Sequence, residues 1–132
     1  MFEFLSPDKA PLQLIMAFFA ITFLQSAVDK TVDFKGNLDF LNGHFKNSPL
    51  AGQVKPMLMF LTLVEYTSGV SCVYAIFQLI FASAIGPTHM ALTICGLNLV
   101  MLLFGQRLAK DYAGASTIGI YMILVMSGFI LI

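Results

Sequence analysis

The sequence predicts an all-α membrane protein, a four transmembrane helix bundle with an interfacial amphipathic segment between helices 1 and 2. Composition is the first ground. The 132 residues are 58% hydrophobic and 11% charged, against about 45–50% and about 25% in soluble globular chains. The second is length. A bilayer core about 30 Å thick needs about 20 apolar residues per helix, and such runs occupy roughly 11–29, 56–83, 88–106 and 112–132. The third is the unequal spacing of these runs. Only the first connection is long, and it carries a helical period of its own. One domain, 1–132, accounts for the whole chain.

Helix 1 opens at Pro11, a residue suited to the first turn because its missing N–H is an orphan there anyway. "MFEFLSPDKAP" has two acids before its only Lys, and no small-residue cleavage site follows the apolar run. A retained helix is therefore expected rather than a cleaved signal. Between helices 1 and 2, within the segment 33–50, Phe34, Leu38, Leu41 and Phe45 recur at spacings of four, three and four. Lys35, Asn37, Asp39, Asn42 and Lys46 occupy the rest of the wheel, the pattern of a helix lying in the membrane interface. Helix 2 begins at Pro56 and is expected to end before "IGPTH", with Gly86-Pro87 making a tight turn into helix 3. Helices 3 and 4, joined by "GQRLAKDYAG", are likewise expected to be antiparallel neighbours.

Charge sets the expected orientation. Of seven basic residues, Lys30, Lys35, Lys46, Lys55, Arg107 and Lys110 lie in loops 1 and 3, whereas the opposite face carries Lys9. The positive-inside bias makes loops 1 and 3 cytoplasmic and leaves both termini outside. Seven acids balance the seven bases. No basic stripe for nucleic acid results.

Glu65 is the sharpest single feature, since an ionisable side chain within a span is expensive and faces a partner, a cavity or water. It is nine residues past Pro56, about 13–14 Å from the loop-1 face. Desolvation disfavours a bare carboxylate there, so it either keeps its proton or takes a donor. Thr22, Gln25, Ser26 and Asp29 share a face in the same half of helix 1. Glu65, Ser68, Gly69 and Cys72 line one face of helix 2, Asn98 sits at matching depth in helix 3, and Tyr112 and Ser116 begin helix 4. The opposite half, Ile15 to Ala20, Ile76 to Ala82 and Ile118 to Ile132, is much plainer.

Two readings stay open at this level. The polar residues either line a pocket opening toward loops 1 and 3, or serve as interhelical hydrogen bonds worth about 0.6 kcal/mol each. The ligand or proton-site candidates are Glu65, Gln25, Asp29, Asn98, Arg107 and Tyr112. Ala115 and Gly119, at small-xxx-small spacing, and Gly69 are expected at close helix contacts. No catalytic or metal set emerges. His44 and His89 fall on opposite sides of the membrane, and Cys72 and Cys95 read as separate small hydrophobes. The eight Met and thirteen Phe suit packing and lipid-facing positions.

With "SAVDKTVDF" closing helix 1, the glutamate of "LVEYTSGV" and "LFGQRLAKDYAGAS" before helix 4, the chain resembles the DoxX/DoxD-like family of small four-helix integral membrane proteins. Ser26 stands where that family tends to have Gly in a Gly/Ser-x-x-x-Lys element. The resemblance implies an accessory subunit of a respiratory or other electron-transfer complex in a bacterial inner (cytoplasmic) membrane. Its partners would be the lipid bilayer and other membrane subunits of a redox complex. It points to Asp29, Lys30, Glu65 and the Gln106-Arg107 pair. Without a haem ligand pair, flavin motif or Cys redox pair the chain is not expected to be catalytic alone or to hold a cofactor by itself, quinone or lipid being the ligands to consider. The alternative is a quinone-binding or proton-relay protein acting on its own. A small transporter fits less well, because no span has the internal Pro of a broken helix.

Overall fold

The computed structural model describes residues 9–132, which fold into five helices with no strand among them. They are α1 (Ala10–Val32), α2 (Phe34–His44), α3 (Val54–Phe81), α4 (Gly86–Leu108) and α5 (Tyr112–Leu131). α1, α3, α4 and α5 are each long and apolar enough to cross a membrane. The expected "MFEFLSPD" preamble lies outside the described residues.

The long helices form a ring in chain order. α1 packs chiefly on α3, α3 on α4 and α4 on α5, and α1 closes the ring against α5. Neighbours run antiparallel: Leu24 and Lys30 of α1 meet Gly69 and Glu65 of α3 respectively, while Ser68 and Cys72 meet Asn98 and Cys95 of α4. Large apolar side chains fill the centre. Met16, Phe19 and Phe23 come from α1 and Leu92 and Leu99 from α4, with the small Ala75, Ala91 and Cys95 allowing close approach. Glycine does the same at two contacts. A Cβ on Gly69 would lie 3.2 Å from the Leu24 backbone nitrogen and closer still to its side chain, and one on Gly128 would lie 2.8 Å from Leu92. Most other large hydrophobics face outward, as Leu63, Phe77, Leu97, Ile123 and Ile130 do.

Several boundaries differ from the sequence reading. α1 runs three residues further, to Val32, so Lys30 is helical rather than part of the loop. A cation in a last turn is favoured by the exposed carbonyls and the helix dipole. One residue, Asp33, then separates α1 from α2. Its N–H bonds to Asp29 O at 3.0 Å, ending α1, and its carboxylate accepts from Gly36 N at 3.2 Å, starting α2. α3 begins at Val54, with Pro56 inside the first turn, where its lost N–H costs nothing. The Gly86-Pro87 turn is a correction: both residues belong to the first turn of α4, and the chain reverses at Ala82–Ile85, with Ser83 left-handed at φ 49°. Pro at N1 or N2 is preset for a helix start, which here outweighs its use as a turn residue.

α1 and α3 are offset. Since Lys30 is level with Glu65 and α1 ends at Val32, the first part of α3 extends beyond the end of α1 by about two and a half turns, roughly 13 Å. α2 folds back beside this overhang and rests on α1 and α3. Its stripe faces inward as the periodicity predicts, with Phe45 buried, Phe34, Leu38 and Leu41 half-buried, and Lys35, Asp39 and Lys46 exposed.

Candidate functional site

The polar side chains of α3 form a ladder of three interhelical contacts. Nearest the loop end, Glu65 is 3% exposed and both its carboxylate oxygens lie 3.2 and 3.3 Å from Lys30 Nζ. Lys30 Nζ also donates to Ser26 Oγ at 2.6 Å, so its three donors are all engaged. Ser26 and Lys30 are one turn apart on α1, which lets one hydroxyl steer the ammonium toward the carboxylate. Beside this cluster Thr31 Oγ1 and Tyr66 OH are hydrogen-bonded at 2.8 Å.

The next rung is Ser68, whose Oγ accepts from Asn98 Nδ2 at 3.1 Å and donates to Val64 O at 2.9 Å. Both residues are fully buried, and Asn98 Oδ1 has no partner. Below it Cys72 and Cys95 set their Sγ atoms 3.4 Å apart as free, buried thiols. Two cysteines that read as isolated along the chain are thus neighbours, because spacings of 68 to 72 and 95 to 98 bring both pairs to one α3–α4 seam.

The structure divides the set of candidates drawn from sequence. Glu65 and Asn98 are buried, whereas Gln25, Asp29, Arg107 and Tyr112 are exposed and do not converge on Glu65. Arg107 instead covers the Tyr112 ring at 4.9 Å, a cation–π contact at the α4–α5 turn. Of the small residues, Gly69 meets Leu24, Ala115 is half-buried, and Gly119 faces open space. The periodicity placed Gln25 and Asp29 on the face of Ser26, but a helical face spans more than one neighbour and only the Ser26 side turns to α3.

A cavity of about 350 Å³ lies beneath α2, where α1 has ended. Phe40 and Leu41 of α2, Phe45 just after it, Phe60 and Leu61 of α3 and Leu102 of α4 give it apolar walls. Its polar end was not anticipated as a cluster. His44 Nε2 is 3.6 Å from Asp111 Oδ2, Asp111 also caps α5 by accepting from Gly114 N at 3.0 Å, and Gln106 Oε1 is buried without a partner. His44 meets Gln106 and Asp111, more than sixty residues later, only because α2 folds onto the α4–α5 turn. A ligand with an apolar body and a donor at one end would satisfy such a lining.

At the opposite end of the bundle, expected to be plain, Gln13 and Thr88 are buried, with Gln13 Nε2 and Thr88 Oγ1 unpartnered, and Lys9 Nζ donates to Ser83 Oγ at 2.6 Å. Among the described residues no three His, Cys, Asp or Glu side chains converge.

Comparison with known proteins gives a plain result. No family model, curated protein or solved structure matches the chain.

Proposed function

We propose that the chain is a small integral-membrane accessory subunit of a respiratory or other electron-transfer complex, of the DoxX/DoxD-like kind. The observation that carries the reading is the convergence of Ser26, Lys30 and Glu65. Of the residues to which the resemblance pointed, Lys30 and Glu65 meet, with Ser26, in one largely buried cluster, whereas Asp29 and Arg107 are exposed and Gln106 lies at the cavity beneath α2. In this reading α1, α3, α4 and α5 cross the bilayer, α2 lies in its interface, and the lysine-rich loop side faces the cytoplasm of a bacterial inner membrane. The buried ion pair fixes the register of α1 on α3, and the apolar outer faces meet lipid and neighbouring subunits.

The test is affinity purification of the tagged chain from native membranes in digitonin, with mass spectrometry of what accompanies it. Stoichiometric oxidase or quinone-reductase subunits are the expected result. Recovery of the chain alone would overturn the accessory-subunit reading.

The α2-covered cavity favours a second reading, an autonomous site for a quinone or lipid-like molecule. Its hydroxyl end, as in a quinol, would donate to Gln106 Oε1 beside His44. Proton relay through Glu65 belongs to the same reading, and Glu65→Gln separates the two: unchanged quinol-linked turnover leaves Glu65 a structural residue.

A further inference from the structure

The chamber beneath α2 has a polar end whose chemistry narrows what it can hold. We infer that it takes a neutral phenol, a single aromatic ring whose hydroxyl donates to Gln106 Oε1 and whose short apolar tail lies between α2 and α3. The inference rests on the second reading above, an autonomous quinone or lipid site, and deepens it by selecting the hydroxyl-bearing class over the carbonyl form.

Size and walls choose the body. The volume of about 350 Å³ is a little over twice the roughly 150 Å³ that takes one benzene. A ring with a short tail fills it. Phe40, Phe45, Phe60 and Phe104 stand around this space, and an aromatic guest packed edge-on or offset against such rings gains more than its buried area alone supplies.

The polar end chooses the head. Asp111 is the one carboxylate lining the chamber, so an anionic head would meet like charge. An ammonium is matched no better. Asp111 already accepts from Gly114 N to cap α5 and faces His44, and the charges next to this end along the chain are the exposed Lys46, Arg107 and Lys110, against one further carboxylate, Asp39, on the exposed side of α2. A neutral head remains. Gln106 Oε1 is buried with no partner. A carbonyl set against it would oppose acceptor to acceptor and leave it unpaired, whereas a hydroxyl donates to it and accepts in turn from the imidazole of His44, which lines the same end.

Carbon-13 methyl NMR of the methionines, in the full chain in micelles, tests the assignment, because Met57 and Met101 line the chamber while Met16 is enclosed in the core and Met126 is exposed on α5. 4-Heptylphenol should shift Met57 and Met101 saturably, leave Met16 in place, and move Met126 only as compound dissolves in the micelle. 4-Heptylanisole, the same body with its hydroxyl methylated, should need about tenfold more for the same shift. Gln106→Leu should bring the phenol to the level of the ether, with an unchanged Met16 signal showing that the variant is folded. Equal titrations of phenol and ether in the unsubstituted chain, or a preference that survives Gln106→Leu, would overturn the hydroxyl assignment and leave the chamber an amphiphile site. Displacement by 1-octanol at concentrations below that of the phenol would overturn the aromatic body in favour of a lipid alcohol. No saturable shift at Met57 and Met101 with any of the three compounds would sink both this inference and the reading beneath it.

Discussion

The α1–α3 junction and the chamber beneath α2 are adjacent, yet they treat polar atoms in opposite ways. At the junction Lys30, Ser26 and Glu65 satisfy one another. In the chamber Gln106 Oε1 has no partner and His44 stands 3.6 Å from Asp111, beyond good hydrogen-bond distance. A charge enclosed by packed helices must be matched within the fold, because leaving it bare costs several kcal/mol. A neutral amide at the rim of a cavity faces a smaller penalty and leaves room for a ligand or water to complete it. The junction is thus built for register, and the chamber has the chemistry of a receiving site.

The strongest way to break this contrast is to remove one half of the ion pair. Glu65→Leu should destabilise the detergent-solubilised protein by about 3–5 kcal/mol, since it strands a largely buried ammonium. Adding Lys30→Met should recover most of the loss in a thermal melt followed by size-exclusion fluorescence. A double variant as unstable as the single one would mean that packing, not charge, holds the junction.

Next in size is Gly69, where close approach of α1 and α3 sets the Lys30–Glu65 distance. Gly69→Val places carbon against the Leu24 backbone and should cost about 1–3 kcal/mol by overpacking. Gly119→Ala, with nothing within 4 Å of the new methyl, should leave the melting temperature unchanged. Equal effects of the two would contradict the packing described for α1 on α3.

Smaller still is the Ser68–Asn98 rung. Ser68→Ala should lower stability by about 0.6 kcal/mol, the average for hydrogen bonds between membrane helices. A double-mutant cycle with Asn98→Ala measures it, and no coupling would deny the contact.

The smallest change belongs to the chamber. Gln106→Leu removes an unsatisfied buried acceptor and should be nearly neutral for stability in lipid-free detergent. A loss as large as that of Glu65→Leu would show the chamber to be a structural element like the junction.

Much of the architecture was legible along the chain. Four long apolar runs, the period of Phe34, Leu38, Leu41 and Phe45, and one glutamate within an apolar span each announce themselves through spacing that local physics requires. The partner of Glu65 did not. Lys30 reads as a loop charge until α1 is seen to run to Val32, although Ser26 four residues before it is the helical spacing that carries the signal. Gln25, Asp29, Arg107 and Tyr112 shared the loop-side half of the bundle with Glu65 but not its neighbours, because depth is a property of one helix and contact is a property of two.

What the sequence determined by itself was therefore composition, span and amphipathic period: which segments are helical, which are apolar, and which hold the few charges. Tertiary structure decided everything that depends on rotation and offset. It paired Lys30 with Glu65, brought the two cysteines to 3.4 Å, and gathered His44, Gln106 and Asp111 at one end of a cavity. Helical periodicity repeats every few residues and leaves the rotation and register between two helices free. Only the interlocking of side chains such as Leu24 on Gly69 and Leu92 on Gly128 fixes them.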